Sequence, residues 1–144
     1  MEKGYNMKNK LVEDYLNKSA IRIKALYFYL EHQDYADTVR EAQEVVELLL
    51  KAVLRYVGVE IPKVHDVSKT IERYIDYMPD TIREKIDEIK KISKTLRKER
   101  EICFYGADDF IPSEEYTHED AISAIKSAEF IFDVVKRGLE GGNK

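Results

Sequence analysis

The chain contains few residues that could crosslink it or interrupt its helices. Its 144 residues include one cysteine, no tryptophan, three prolines and six glycines. A single cysteine, Cys103, excludes an intramolecular disulfide and a cysteine-based zinc site. No apolar run approaches the roughly 20 residues that a membrane-spanning helix needs, and no secretion signal is visible. We therefore expect a cytoplasmic protein with no membrane attachment.

Charge is abundant but balanced. Charged residues make up 36% of the chain and hydrophobic residues 44%, which is typical of a folded helical domain rather than of a disordered chain. Because the net charge is −4, the molecule as a whole does not attract nucleic acid, and such binding would need a local basic patch. The length and uniform composition predict one domain. We place it at residues 8–138, with tails at residues 1–7 and 139–144.

Apolar residues recur at helical spacing, and no segment shows the alternation of a strand. The predicted helices cover residues 8–32, 36–57, 66–77, 79–104 and 117–137. The second has the widest apolar arc and should be central. Gly58 is a plausible C-terminal stop, Asp66 an N-cap, and Thr117 with Asp120 comes close to a capping box. These patterns predict an all-α fold, an antiparallel four-helix up-and-down bundle plus one short extra helix.

The fourth predicted helix is strongly basic near its end, where an arginine falls on the apolar side. At about 100° per residue, Arg100 returns to the apolar line of its own helix. That line consists of Ile82, Ile86, Ile89, Ser93 and Leu96. A guanidinium keeps its charge and is costly to bury alone. Arg100 therefore either bonds the terminal carbonyls of the helix, or lies in a buried ion pair, a wet cleft or an interface.

A neighbouring face of this helix is basic. It consists of Lys90, Lys94, Arg97 and Lys98. Such a face is either an ordinary solvated surface or a phosphate-contacting patch.

On the second helix, Glu47 borders the apolar arc, where it either pairs with Lys51 or lines a cleft.

Motifs for metal or cofactor binding are missing. The histidines, His32, His65 and His118, have no second histidine or cysteine at metal-ligand spacing, so we expect no metal site. Phosphate-binding loops, dinucleotide fingerprints and nucleophile elbows are also absent, and no cofactor is expected.

Several segments together match one family pattern. Gln43, Glu47, Lys51 and Ala52 fit Q-x3-E-x3-K-A, and His65 with Asp66 follows as H-D. The arginine-bearing helix then continues into FYGADDFIPSEEY and EDAISAIKSAEFIFDVV. In this combination, over roughly residues 10–137, the chain resembles the HEPN family of small all-helical domains.

The resemblance implies a bundle that dimerises through its last long helices. Many such proteins are metal-independent ribonucleases with an R-x4–6-H motif at the end of the fourth helix, and they are often toxins paired with a small nucleotidyltransferase antitoxin. Arg100 matches the motif arginine, but Tyr105 stands at the first position for the histidine. A neutral phenol is a poor general base near neutral pH, although it could still bind a phosphate or accept a nucleotidyl group.

Our first interpretation is a HEPN-fold homodimer whose interfacial cleft binds a nucleotide or an RNA phosphate, paired with a nucleotidyltransferase in a toxin–antitoxin-like system. The expected binding residues are Arg97, Arg100, Tyr105, Glu47 and Lys94. Arg100 would contact phosphate, Tyr105 would hydrogen-bond it or accept a modification, and Glu47 would orient Arg100. Arg100 and Tyr105 are also the only catalytic candidates at this end of the helix.

Two alternatives stay open. One is a metal-independent endoribonuclease toxin that takes its acid or base from His65 or His118. The other is a non-catalytic interaction module with a degenerate site. Whether the protein is an enzyme is left open, because the histidine of the motif is absent.

Overall fold

The computed structural model describes residues 2–63, 66–105 and 115–141, with side chains for residues 10–63, 66–98 and 115–140. The described residues include six α-helices and a short 3-10 helix, and none of them lies in a strand. The α-helices are α1 Glu2–Glu31, α2 Tyr35–Val57, α3 Val67–Arg73, α4 Asp80–Glu84, α5 Ile86–Tyr105 and α6 His118–Gly141, and the 3-10 helix is Ile75–Tyr77. The predicted all-α class is confirmed.

Helix α2 lies at the centre of the fold and contacts α1, α3, α5 and α6. Buried residues occur on every one of its turns, as its wide apolar arc predicted. Leu49, Leu50 and Leu54 are fully buried in the same core as Leu26 of α1 and Ile131 of α6. Burial on this scale is the main source of stability in a helical domain, because isolated helices are marginal in water.

A connection of three residues joins α1 to α2, and these two helices pack together as an antiparallel pair. Asp34 caps α2 by accepting a 3.2 Å hydrogen bond from the Asp37 backbone N–H. Gly58 ends α2 in the left-handed conformation, with φ of 80°, as predicted.

Helix α1 begins at Glu2 rather than near residue 8, so most of the segment predicted as an N-terminal tail is helical. The first residues of the chain lack an apolar stripe, which was the signal used for prediction. A helix that is already nucleated can extend without one.

The helix predicted at residues 79–104 is two helices. Helix α4 ends at Glu84 and α5 begins at Ile86, although neither Gly nor Pro stands between them. The two pieces pack on different neighbours, since α4 lies mainly on α6 whereas α5 lies mainly on α2. At the α4–α6 contact, a Cβ added to Gly138 would come within 3.2 Å of Ile82 Cγ1. Tertiary packing therefore explains the break. The helix predicted at 66–77 likewise ends at Arg73 and gives way to the 3-10 helix.

Helix α6 starts with the predicted capping box. The Thr117 N–H donates to Asp120 Oδ2 (2.9 Å), and the Asp120 N–H donates to Thr117 Oγ1 (3.1 Å). The helix continues to Gly141, past the predicted end at residue 137. Leu139, which was expected in a C-terminal tail, is buried because it lies one turn after Val135 on the core face.

Candidate functional site

The predicted site residues lie on two helices that pack against each other. Lys94 and Arg97 belong to α5, and Glu47 belongs to α2. The backbone of Arg100 and Tyr105 is helical and completes α5, but both side chains lie outside the described residues. His65 and the GADDFIPSE segment also fall outside them.

A polar cluster joins the start of α3 to the middle of α5. Asp66 accepts hydrogen bonds at Oδ1 from the Ser68 backbone N–H (3.0 Å), the Ser68 hydroxyl (2.6 Å) and the Ser93 hydroxyl (3.2 Å). The Arg97 guanidinium lies 3.4 Å from the same oxygen. Asp66 is thus the predicted N-cap of α3, and it also binds two residues of α5. We call these four residues the Asp66 cluster.

The carboxylate of Asp66 is held in its charged form. Its side chain is only 11% exposed. Burial raises the pKa of Asp66, but the Ser68 hydroxyl, the Arg97 charge, the Ser68 N–H and the Ser93 hydroxyl together lower that pKa below its ordinary value. Asp66 is therefore a fixed anion at neutral pH, with Arg97 as its counter-ion.

A second ion pair shows how α3 lies on α5. Lys90 Nζ donates to Glu72 Oε2 at 2.6 Å. Because Asp66 meets Arg97 while Glu72 meets Lys90, the two helices run antiparallel. The beginning of α3 therefore points toward the end of α5 that bears Arg100.

These pairs divide the predicted basic face. Lys90 and Arg97 have carboxylate partners, whereas Lys94 and Lys98 are exposed and have no ion-pair partner among the residues that the structure describes. Arg97 is 31% exposed, so part of its guanidinium still reaches solvent. The face is partly a structural contact with α3 and partly an open cationic surface.

Glu47 is bonded to a buried glutamine on its own helix. Gln43 is fully buried, and its Nε2 donates to Glu47 Oε1 at 3.1 Å. The Oε1 atom of Gln43 is buried and has no hydrogen-bond partner among the residues that the structure describes. A buried carbonyl oxygen is normally paired, so this atom is an unused acceptor beside a carboxylate. The surface ion pair between Glu47 and Lys51, one of the two alternatives for Glu47, does not occur among the described residues.

A groove of about 450 Å³ separates α5 from α6, with Val39 of α2 at its base. A second depression of about 600 Å³ adjoins it along α6. The two share Ile92, Ser123 and Ser127. We call the combined surface the α5–α6 groove, and its walls carry apolar side chains, small hydroxyls and charged side chains of both helices.

The described histidines form no catalytic or metal cluster. The ring of His118 meets the Tyr35 ring edge-on at 5.7 Å, and His32 Nδ1 is 2.9 Å from the Phe28 carbonyl oxygen. Within the described ranges, no group of three or more His, Cys, Asp or Glu residues could hold a metal ion.

None of the described helices combines the length and the apolar character that crossing a membrane requires.

The Asp66 cluster was not anticipated as a unit, although one signal was present. Ser93 interrupts the apolar line of α5, and a buried hydroxyl on such a line needs a partner. That the partner is Asp66, 27 residues earlier, follows only from the packing of α3.

Comparisons with known proteins agree with this architecture. Residues 12–138 match the family model of the HEPN domain. A protein of Methanocaldococcus jannaschii named "Putative toxin" is 29% identical over 145 aligned residues, covering 96% of this chain and 93% of the relative. No solved structure matches the chain.

Proposed function

The chain belongs to the HEPN domain family, and from this premise we propose that it is a cytoplasmic homodimer whose cleft at the end of α5 binds the phosphate of a nucleotide or an RNA. In this proposal it has a toxin-like role and pairs with a nucleotidyltransferase. The name of the M. jannaschii relative supports the toxin-like part.

The observation that carries the proposal is the fixed position of Arg97 beside the open Lys94. Arg97 is held by the buried Asp66, while Lys94, one turn earlier, has no described carboxylate partner. Arg100 follows at the same interval of three residues, and residues three apart are neighbours on a helix. Lys94, Arg97 and Arg100 thus form a basic row, and clustered cations of this kind contact successive phosphates.

The pair of Gln43 and Glu47 supports a role in orienting Arg100. Together they offer an unpaired amide oxygen and a carboxylate on the helix that packs against α5. A guanidinium has five N–H donors and suits such a set of acceptors. In this proposal Glu47 fixes Arg100, and Arg100 contacts phosphate together with Tyr105.

Binding can be tested by fluorescence anisotropy with a labelled single-stranded RNA oligonucleotide and with labelled ATP. We expect Arg100→Ala to weaken binding and to reduce the magnitude of the log–log salt slope by about one, because one phosphate contact is lost. Arg22→Ala, on the exposed surface of α1, is the matched control for loss of charge. Equal affinities of wild type and Arg100→Ala would remove this cleft from consideration.

The α5–α6 groove supports the homodimer, since it leaves the apolar side chains of Ile92, Ile122 and Phe130 only half-buried along its walls. Sedimentation equilibrium at micromolar concentration should give twice the monomer mass of 16.9 kDa. Ile122→Glu, which places a charge in the groove, should shift the mass toward the monomer. Ile21→Glu, on the outer surface of α1, is the control and should leave the mass unchanged. A wild-type mass near 16.9 kDa would contradict the proposal.

Wild-type protein should show little or no ribonuclease activity, because Tyr105 replaces the histidine that would titrate near neutral pH. The experiment incubates labelled single-stranded RNA with protein and EDTA, beside Tyr105→His, His65→Ala and His118→Ala variants. Cleavage by Tyr105→His alone would identify the missing base. Cleavage by wild type that is lost in Arg100→Ala would replace this proposal with the endoribonuclease alternative.

A further inference from the structure

Two neighbouring tyrosine rings are presented to solvent where α3 passes into the 3-10 helix. Tyr74 is 36% exposed and Tyr77 is 74% exposed. Their ring centroids lie 6.4 Å apart, with an angle of 48° between the planes. Large aromatic residues are usually buried to a greater extent, so an adjacent exposed pair calls for an explanation.

The backbone that carries these rings is anchored from the opposite side. Ile71 and Met78 are buried in the core, and Ile75 packs against it. With these three side chains turned inward, Tyr74 and Tyr77 fall on the outer side of the same segment. The rings therefore sit on a fixed support and not on a free end.

A cavity of about 350 Å³ lies beside Tyr74. One wall is the connector of residues 59–63, and the other is formed by Thr70, Arg73 and Tyr74. Lys63 and Arg73 thus line one cavity together with Glu60 and the ring of Tyr74. We call Tyr74, Tyr77 and this cavity the tyrosine platform.

Exposed cations outnumber exposed carboxylates around the platform. The exposed cations are Arg55, Lys63, Lys69 and Arg73, and none of them has a carboxylate within ion-pair distance in the described structure. Two exposed carboxylates reduce this excess, since Glu60 lines the same cavity and Asp76 lies between the two tyrosines in the chain. Glu72 contributes little negative charge here because it is paired with Lys90.

Exposed rings beside unpaired cations match the chemistry of a single strand of nucleic acid. A base can stack on a tyrosine face whatever its identity, and Lys or Arg side chains bind the adjoining phosphates. The carbonyls at the end of α3 attract no phosphate, so the side chains of Lys63 and Arg73 have to supply that contact.

We propose that the tyrosine platform is a binding site for single-stranded RNA, with bases stacked on Tyr77 and Tyr74 and phosphates held by Arg73 and Lys63. It shares no residue with the basic row. Tyr74 lies eight residues beyond Asp66, about 12 Å along α3 at ~1.5 Å per residue, and so away from Arg97. The site is therefore independent of the α5 cleft, and either can exist without the other.

The test is fluorescence anisotropy of full-length protein with a fluorescein-labelled oligouridylate of twelve nucleotides, at low salt. Tyr77→Ala should weaken binding about fivefold or more, in line with the loss of one stacked base. Tyr77→Phe, which keeps the ring and removes the hydroxyl, should stay within about twofold of wild type, because stacking uses the ring face. Phe28→Ala on α1 removes another exposed ring and should have no effect.

Two further arms separate this site from the α5 cleft. Arg73→Ala should weaken binding and lower the salt slope by about one. Tyr77→Ala should lose the same factor in an Arg100→Ala background. An Arg100→Ala protein with wild-type affinity would overturn the cleft and leave the platform standing. Unchanged affinity in Tyr77→Ala, or no binding of the oligonucleotide by wild type, would overturn the platform.

Discussion

The two flanks of α5 differ in how they meet their neighbours. Toward α3 the contact is closed by polar bonds, with Asp66 joined to Ser93 and Arg97 and with Glu72 joined to Lys90. Toward α6 the helix stands partly apart, and a groove remains. Hydrogen bonds to a buried carboxylate fix geometry, whereas an unfilled groove leaves surface for another molecule. One helix thus combines a fixed side, which positions its cations, with an open side that suits a partner.

The largest effect on stability is expected near the start of α5, at a side chain that packs in the core. Ile89 is fully buried, and Ile89→Ala should lower the free energy of unfolding by about 2–5 kcal/mol, since it leaves a cavity. Urea denaturation measures this loss. Ile122→Ala in the groove is the control and should cost clearly less, because that side chain is only half-buried. Similar losses in the two variants would mean that the groove side is packed as firmly as the core.

The second largest loss of stability is expected from removing Asp66, the anion at the contact between α3 and α5. Asp66→Ala should cost about 1–3 kcal/mol, because α3 loses its N-cap and the Ser93 hydroxyl stays buried without its acceptor. Asp66→Asn retains a capping oxygen and should cost less. A loss below about 0.5 kcal/mol in Asp66→Ala would contradict the account of this flank as a fixed contact.

The closed flank should also respond to acid. Because the folded state lowers the pKa of Asp66, its contribution is fully present above the ordinary carboxyl pKa of about 3.9 and is lost as the pH falls through the lower folded value. Urea denaturation between pH 6 and pH 3 should show wild type losing more stability than Asp66→Asn, which has no carboxyl at this position. Parallel pH profiles would show that Asp66 is not the group responsible.

The smallest expected effect is the difference in unfolding free energy between two serine-to-alanine variants. Ser93→Ala removes a buried hydroxyl from the closed flank, whereas Ser123→Ala removes an exposed one from the groove. Both changes replace a helical serine with alanine, so the difference in helix propensity cancels in the comparison. Ser93→Ala should be less stable than Ser123→Ala by about 1 kcal/mol, the usual net value of one hydrogen bond. Equal unfolding free energies would show that the hydrogen bond of Ser93 adds no stability on the α3 side of α5.

Local chemistry made much of the fold predictable. Gly58, Asp66 and the pair Thr117 and Asp120 were identified from residue type and position alone, because a cap depends on only a few neighbouring residues. The central place of α2 followed from its apolar arc, and the HEPN resemblance is confirmed by the family match.

Tertiary contacts decided what the sequence could not. The break at Lys85 has no local breaker, and it coincides with the packing of Ile82 against Gly138, a residue 56 positions later. The bond between Arg97 and Asp66 joins residues 31 positions apart, and no spacing rule applies to such a pair. The basic face of Lys90, Lys94, Arg97 and Lys98 was recognised from its spacing, but its division into paired and open cations depends on where α3 lies.

The antiparallel attachment of α3 to α5 has a consequence for motion. A helix of seven residues has no stability of its own, so α3 stays folded only while its contacts with the core and α5 hold. Opening of α3 would release Arg97 from its counter-ion and change the field felt by any phosphate at the end of α5. Slow exchange of the α3 amide protons with deuterium would therefore report on the state of the basic row. A ligand that binds Arg97 in the position fixed by Asp66 favours the folded α3, so it should protect amides in a helix that it does not touch.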